Sequence, residues 1–422
     1  MECNQALIRA VPYPTRKTPV HPRLSLRVRT AILVPVIVLP SACSGSDSIA
    51  GPIPGPGPGG GNNGGTPTIT ATSASVAGYR AVGDSVHVFA DYLASNASQL
   101  FDHWSGDVGV LADPTAEHTT FIWNAQSVRL TAVYRTIAPW HPVQTTVSGV
   151  DFWYYVPQNP NGIIFAFHGS GGSAANWFTH AENLRFSRAA VADGYGVAAL
   201  SSHDRTSQQW TLTPISTANP DVQNVQSALA RLQASGLISP STPRYAVGAS
   251  NGGRMTVRIA QVLGWNAVVN YVSQGDPDTL MMASTTPTAF YMRRNDSQAL
   301  VNWQDAQRYS MNMQARGVPS EFVLWGRSPL YPKKFARIPG IDDAASIAIF
   351  NALNAAGLMD AGGYLLSDPT TNPGPWQAAI PPAYRGGALS ANIGALLDDA
   401  FAEHGFFSDM NERALAFIKR HP

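Results

Sequence analysis

The sequence is poor in charged residues and in cysteine. Only 13% of its 422 residues are charged, against roughly 25% in an average soluble protein. The formal net charge is +1, and this lack of a basic surplus argues against a nucleic-acid partner. Cys3 and Cys43 are the two cysteines, so at most one disulfide is possible and a four-cysteine metal site is excluded. The sequence shows no motif that requires a metal or another cofactor.

Residues 1–43 have the pattern of an export signal. Arginines 23, 27 and 29 precede a short apolar run over 31–39, and small residues then lead to Cys43. A basic stretch, an apolar core and small residues before a cleavage point are typical of secretion signals. Cys43 directly after Ser-Ala resembles a bacterial lipoprotein cleavage site, which implies acylation of Cys43. The alternative is an ordinary signal with an incidental cysteine.

The first 43 residues therefore predict an extracytoplasmic protein, either lipoprotein-like in the periplasm or at the cell surface, or secreted. Its contact with a membrane would be the lipid anchor alone. Residues 44–67 are rich in glycine and proline, cannot bury apolar surface, and are expected to form a linker.

Residues 68–136 are expected to form a small all-β module. Apolar and polar residues alternate over 85–90 and 128–134, with turn residues between the runs, which predicts an antiparallel sheet of short strands. The segment around Trp104 resembles the Ig-like repeat domains of bacterial surface proteins, with Trp104 as the core anchor. The module would either bind a polymer or act as a spacer, and we favour the spacer because fold resemblance alone does not give function.

Residues 137–422 show buried strands that alternate with helices, which predicts a parallel α/β sheet. Apolar strands are expected near 162–168, 195–200, 244–247, 267–272, 289–293 and 322–325. Asn219 followed by Pro220 is a typical helix start. A mostly parallel, doubly wound sheet is the expected fold of this region.

One strand leads into Gly248-Ala249-Ser250-Asn251-Gly252, and a helix follows. A Gly-x-Ser-x-Gly sequence between a strand and a helix is a nucleophile elbow. Its sharp turn presents the serine hydroxyl and aims the Asn251 amide at a developing oxyanion. An earlier strand ends in His168-Gly-Ser-Gly-Gly, a loop from which the amide of Ser170 or Gly171 would supply a second oxyanion donor.

Serine needs a base to act as a nucleophile at neutral pH. His404 lies in a loop before the last helix, where the chain order serine, acid, histidine places the base, and it is preferred to His203 and His180. His168 is expected to brace its loop. Asp296 follows a strand and is the preferred acid, with Asp276 and Asp278 as the alternative.

These motifs resemble the α/β-hydrolase family, and most closely its polyhydroxybutyrate-depolymerase-like and feruloyl-esterase-like secreted esterases. The resemblance covers about residues 150–326 and 400–422. It implies a Ser250–Asp296–His404 triad and hydrolysis of small or polymeric carboxylic esters through an acyl-enzyme. The alternatives are a depolymerase of polyester or esterified polysaccharide whose β module binds the polymer, and a non-catalytic surface-binding protein on a hydrolase scaffold.

Residues 327–400 are an insertion relative to that family. A helical pattern covers 342–358, and a stretch rich in proline, glycine and aromatic residues follows. The insertion could cap the active site or pack beside the body, and the sequence does not decide between the two. Trp177 and Trp210 are candidate pocket walls, although tryptophan is more often a packing residue.

Overall fold

The structure is a computed structural model that describes residues 67–92 and 98–422. Cys43, the proposed signal and nearly all of the proposed linker lie outside these residues. The described residues belong to one compact unit. Within the described part of the chain, no helix combines the length and the hydropathy that membrane crossing demands.

The β module consists of two three-stranded sheets with strand orders β1-β6-β4 and β2-β3-β5. Its strands are β1 (Ile69–Thr72), β2 (Ala74–Ala77), β3 (Ser85–Ala90), β4 (Gln99–Gly106), β5 (His118–Ile122) and β6 (Val128–Thr136). Trp104 is buried in the apolar core with Val88 and Leu130. The pairing is antiparallel except between β1 and β6, which run parallel, so the prediction of an antiparallel sheet is wrong for that pair. The resemblance to Ig-like repeats stays a prediction.

The body is built on an eight-stranded sheet with the order β14-β13-β12-β11-β9-β10-β8-β7. Its strands are β7 (Val143–Val147), β8 (Val150–Tyr155), β9 (Ile163–Phe167), β10 (Gly196–Leu200), β11 (Arg244–Ala249), β12 (Ala267–Tyr271), β13 (Thr288–Arg293) and β14 (Ser320–Trp325). The six strands from β9 to β14 are parallel to one another, and β7 and β8 complete the sheet in antiparallel pairing. The predicted mixed α/β fold with a mostly parallel sheet is therefore confirmed.

The helices of the described residues are α1 (Asn176–Thr179), α2 (Ala181–Ala192), α3 (Pro220–Ala234), α4 (Asn251–Leu263), α5 (Asp278–Ala283), α6 (Trp303–Ala315), α7 (Asp343–Ala355), α8 (Gly374–Ala379), α9 (Gly387–Phe401) and α10 (Asn411–Lys419). Helices of the body cover both faces of the sheet, whereas α7, α8 and α9 lie in residues 327–400. Alternate residues of β9 point to opposite faces. Ile163 and Phe165 pack with α3, α4 and α6, whereas Ile164 packs with α2 and α10.

The insertion of residues 327–400 has its own apolar core. Ile349 from α7, Trp376 from α8 and Leu397 from α9 are buried together, and Ala181 at the start of α2 joins them. The helix predicted over 342–358 lies at Asp343–Ala355, and the Asp342 side chain caps it by accepting a hydrogen bond from the Ala345 amide at 2.8 Å. The insertion thus packs beside the body as a small helical layer.

Candidate active site

Ser250 lies at the turn between β11 and α4 in a strained backbone conformation. Its φ is 56° and its ψ is −122°. Residues other than glycine seldom adopt a positive φ of this kind. The turn brings backbone segments so close that a Cβ atom on Gly248 would come within 2.6 Å of the Gly252 carbonyl. A Cβ on Gly252 would come within 2.5 Å of the His168 carbonyl oxygen. The two glycines are therefore required for the geometry that presents Ser250.

Two backbone amides are free to hold an oxyanion beside Ser250. The Asn251 amide is at the first position of α4, where helix amides have no acceptor within the helix. Gly171 donates its amide to the Gln208 carbonyl at 3.1 Å, which removes it from the two predicted second donors. Within the described residues the amides of Ser170 and Asn251 have no hydrogen-bond acceptor. Of the two predicted second donors, Ser170 is therefore the one whose amide is unpaired.

His168 braces the loop that carries Ser170. Its Nδ1 lies 2.7 Å from the Gly169 carbonyl, and its Nε2 accepts a hydrogen bond from the Ser202 amide at 3.1 Å. Burial lowers the pKa of His168 to about 4, so the ring is neutral at pH 7. Trp210 lies behind the loop, where its indole nitrogen donates to the His168 carbonyl at 2.8 Å. Both residues support the loop.

His404 and Asp296 are brought together by two loops that follow α9 and β13. The Nδ1 atom of His404 lies 2.8 Å from the Asp296 Oδ2 atom, and the Asp296 side chain is 3% exposed. Asp296 Oδ1 accepts a further hydrogen bond from the Gln298 amide at 3.0 Å. With its Nδ1 proton directed at the carboxylate, His404 has its Nε2 atom available as a proton acceptor.

Glu403 joins the same two loops, a role that sequence reasoning missed. Its Oε1 atom accepts hydrogen bonds from the Ser297 amide at 2.8 Å, the Ser297 hydroxyl at 2.7 Å and the His404 amide at 3.0 Å. Asn295 adds a backbone bond to Ala402 at 3.1 Å. No sequence motif marks Glu403, because Ser297, its partner on the other loop, lies 106 positions away.

None of the alternative acids and bases lines the cavity that holds Ser250. Asp276 forms ion pairs with Arg254 and Arg258 on α4. Asp278 is exposed and pairs with Arg308. His203 is exposed, and His180 lines a neighbouring cavity. Among these candidates and Asp296, the structure gives only Asp296 as a partner of His404.

Ser250 and His404 line one open cavity of about 410 Å³. Its wall includes the 168–172 loop, Trp177, Asn183 and Phe406. Residues 327–400 contribute nothing to this wall, so the insertion does not cap the cavity. Instead Asn392 and Asp398 of α9 line a second cavity of about 160 Å³, which shares Asn183 and His404 with the first.

The most metal-like cluster in the described chain consists of three buried carboxylates, those of Glu182, Asp399 and Asp409, whose nearest oxygens lie within 4.8 Å of one another. Cationic side chains already balance these charges. Asp399 pairs with Arg293 and Lys334, and Glu182 pairs with Arg337. The cluster is therefore an internal ion-pair network rather than a metal site.

Comparison with known proteins finds partial structural matches and no family. No protein-family model matches the chain, and no curated protein matches its sequence. A ferulic acid esterase structure is 12% identical over 44% of this chain and 89% of its own, with a TM-score of 0.35. A serine hydrolase without a lid from Xanthomonas campestris is 14% identical over 46% of this chain and 88% of its own, with a TM-score of 0.32. A carboxyl esterase from Bacillus coagulans is 11% identical over 44% of this chain and 89% of its own, also with a TM-score of 0.32. Likeness at this level assigns no activity to this chain.

Proposed function

We propose that the chain is a serine hydrolase that cleaves carboxylic esters through an acyl-enzyme. The proposal is carried by one observation: the His404–Asp296 hydrogen bond borders the cavity into which the strained turn presents Ser250. A serine, an imidazole oriented by a carboxylate, and two free amides beside the serine are the groups that acyl transfer requires.

In the acylation half, the Nε2 atom of His404 takes the Ser250 hydroxyl proton while Oγ bonds to the ester carbonyl carbon. The carbonyl π electrons move onto oxygen, and the amides of Asn251 and Ser170 stabilise that oxyanion. When the carbonyl re-forms, the bond to the alcohol oxygen breaks, and His404 gives its proton to the leaving alcohol. Asp296 stabilises the imidazolium during these steps.

In the deacylation half, a water molecule takes the place of the alcohol beside His404. The imidazole removes a proton from the water as its oxygen bonds to the acyl carbon. The tetrahedral intermediate collapses, the carboxylic acid leaves, and Ser250 regains its proton from His404. The open cavity of about 410 Å³ gives water direct access to this reaction.

The activity is tested with p-nitrophenyl acetate and a fluorophosphonate probe. We expect the wild type to turn over the ester and to be labelled, and Ser250→Ala to lose both properties. Ser239→Ala, which removes an exposed serine hydroxyl elsewhere on the body, is the matched control and should retain both. Full turnover by Ser250→Ala would reject the proposal.

We also propose that the protein is exported and lipid-anchored through Cys43, which lies outside the described residues. The support is the sequence pattern of residues 31–43 alone. Mass spectrometry of the N-terminal peptide from a membrane fraction should find an acylated Cys43, and Cys43→Ala should release the protein from that fraction. An unmodified Cys43 in a membrane-bound protein would contradict this.

A further inference from the structure

The β module contacts the body at the segment that follows His404. Nδ1 of His118, on β5, lies 2.5 Å from Oδ1 of Asp409, and the two side chains are 1% and 2% exposed. Asp409 belongs to a short 3-10 helix, Ser408–Met410, which begins four residues after His404. A buried, charge-assisted hydrogen bond is among the stronger polar contacts in proteins. The module is therefore fixed to the chain segment that carries the candidate base.

His118 is itself held in place by a chain of hydrogen bonds. Its Nε2 atom lies 2.9 Å from the His87 Nδ1 atom, and the His87 Nε2 atom lies 3.1 Å from the Tyr364 hydroxyl. Burial, aided by the neighbouring His118, lowers the pKa of His87 to about 3, so His87 is neutral. Every ring nitrogen of the two histidines has a partner. Neither ring can turn without the loss of a buried hydrogen bond, which is costly.

The body contacts the same segment through two other residues. Glu182 on α2 accepts hydrogen bonds from the Ser408 amide, at 2.9 Å, and from the Ser408 hydroxyl. The Arg293 guanidinium lies 3.8 Å from the centre of the Phe407 ring. The module also reaches Glu182 indirectly, because Glu117 forms an ion pair with Arg185, which lies beside Glu182. The module thus completes a set of contacts around residues 407–409.

The contacts of residues 407–409 affect the position of His404 because few residues separate them from it. Glu403 is anchored to Ser297 on one side of His404, and Ser408 and Asp409 are anchored on the other. Only residues 404–407 lie between the two anchors, and at ~3.3–3.6 Å per residue this length absorbs little displacement. A displacement of Asp409 would be passed to the imidazole of His404. Misplacing a catalytic group by ~1 Å can cost roughly a hundredfold in rate.

We propose that the β module is a positioning element of the active site, in which His118 holds Asp409 and so fixes the loop that carries His404. This inference rests on the proposed esterase function. It differs from the spacer that the sequence favoured, since a spacer needs no buried contact with the His404 segment.

Other contacts between the module and the body provide a matched control. Asp91 forms an ion pair with Lys333 at 2.9 Å and lies on the module next to β3. Neither residue is hydrogen-bonded to the 403–409 segment. Asp91→Asn therefore weakens the attachment of the module without touching the loop of His404.

The experiment compares His118→Leu, His118→Asn and Asp91→Asn in the full chain. We expect His118→Leu to lower kcat for p-nitrophenyl acetate by roughly 10- to 100-fold, with KM changed by no more than about twofold, because the base is displaced while the cavity is kept. His118→Asn retains an N–H group for Asp409 and should recover part of the loss. Asp91→Asn should keep the wild-type kcat.

Two further measurements separate positioning from general destabilisation. In a His404→Ala background, where there is no base to position, His118→Leu should cause no further loss of the residual activity. Amide hydrogen exchange of residues 404–410 should be faster in His118→Leu than in the wild type, and unchanged in Asp91→Asn. The exchange measurement needs no catalysis, so it tests the inference even if the wild type proves not to be an esterase.

The proposal is overturned if His118→Leu keeps the wild-type kcat and exchange, or if Asp91→Asn loses as much kcat as His118→Leu. A further loss from His118→Leu in the His404→Ala background would also overturn it. If His118→Leu does not fold, His118→Asn is compared with the wild type and Asp91→Asn in its place. We then expect a smaller loss of kcat, and exchange in residues 404–410 that is still faster than in the wild type. An inactive wild type with unchanged exchange in every variant would reject both the function and the positioning role.

Discussion

Ser250 and His404 reach the same cavity by different structural means. Ser250 is held by backbone: a turn with φ of 56°, two glycines in close contact with other main chain, and a hydrogen bond from its amide to the Tyr271 carbonyl at 3.0 Å. His404 is held by side chains that are distant in sequence. Asp296, on one loop, orients its ring, and the Glu403 side chain joins that loop to its own.

This difference shows at which end of the site the fold tolerates a substitution. A backbone-held group depends on the space around a few glycines, so a substitution there strains the fold before it alters the chemistry. A side-chain-held group can lose a partner while the fold persists, because the lost contact is polar and local. Substitutions at the Ser250 end should therefore reduce stability, whereas those at the His404 end should mainly reduce kcat.

The largest effect is expected from Asp296→Asn. The amide offers an N–H group where His404 needs an acceptor, so the imidazole takes the wrong tautomer, and a loss of about 10⁴-fold in kcat is the magnitude found for this change in a serine-protease triad. The measurement is kcat for p-nitrophenyl acetate, with the thermal midpoint as a check on folding. We expect the midpoint to move little.

Asp276→Asn is the matched control for Asp296→Asn. Asp276 also follows a strand of the sheet, but it pairs with Arg254 and Arg258, away from His404. Its substitution should lower stability and leave kcat within a few fold of the wild type. A large loss of kcat in Asp276→Asn with full activity in Asp296→Asn would make Asp276 the acid. The comparison between the Ser250 end and the His404 end would then no longer hold.

The next effect in size is expected from Gly252→Ala, at the Ser250 end. The new methyl group would meet the carbonyl oxygens of Phe167 and His168, which are main-chain atoms of β9 and its loop and cannot rotate away. Overpacking of this kind costs typically 1–3 kcal/mol and sometimes more, and we expect at least about 3 kcal/mol in the free energy of unfolding.

Urea titration of Gly252→Ala measures that loss. Gly326→Ala is the control, because a Cβ atom at Gly326 meets no other atom within 4 Å and its φ is not positive. It should unfold close to the wild-type midpoint. The opposite outcome is that Gly252→Ala is as stable as Gly326→Ala and loses only kcat. In that case a substitution at the Ser250 end would reduce activity without reducing stability, as we expect at the His404 end, and the difference between the two ends would be rejected.

The sequence was informative where the interactions are local. Continuous apolar runs predicted β9 to β14, and the Asn219-Pro220 start predicted α3. Asn219 caps α3 by accepting a hydrogen bond from the Asp221 amide at 2.9 Å. The glycine spacing around Ser250 predicted a turn that only glycines permit. Such patterns carry information because the residues that interact are neighbours in sequence.

The sequence was uninformative where contacts span the chain. The Glu403–Ser297 bond joins residues 106 positions apart, and the His118–Asp409 bond joins residues 291 positions apart. Neither pair has a spacing that periodicity could reveal. The Gly171 amide was misjudged for the same reason, since its acceptor, Gln208, lies in another loop. The position of the insertion beside the body likewise depends on apolar surfaces of α2 and α9 that meet only in the folded chain.

The last effect we predict is a gradual one that depends on pH, and it tests how far the Ser250 end depends on backbone alone. Burial lowers the pKa of His168 from 6.5 to about 4 in the folded chain. Between these values the unfolded chain binds a proton that the folded chain does not, so stability is lost as pH falls from about 6.5 to about 4. The full difference amounts to about 3 kcal/mol in the free energy of unfolding, spread over this range.

The measurement is the free energy of unfolding at several pH values for the wild type and for His168→Gln, which cannot titrate. Glu412, whose pKa burial raises to about 8, titrates in both proteins, so the difference between their curves isolates His168. We expect the free energy of unfolding of the wild type to fall relative to that of His168→Gln as the pH is lowered. If the two curves stay parallel, His168 is not held neutral in its loop, and backbone geometry alone supports the 168–172 loop.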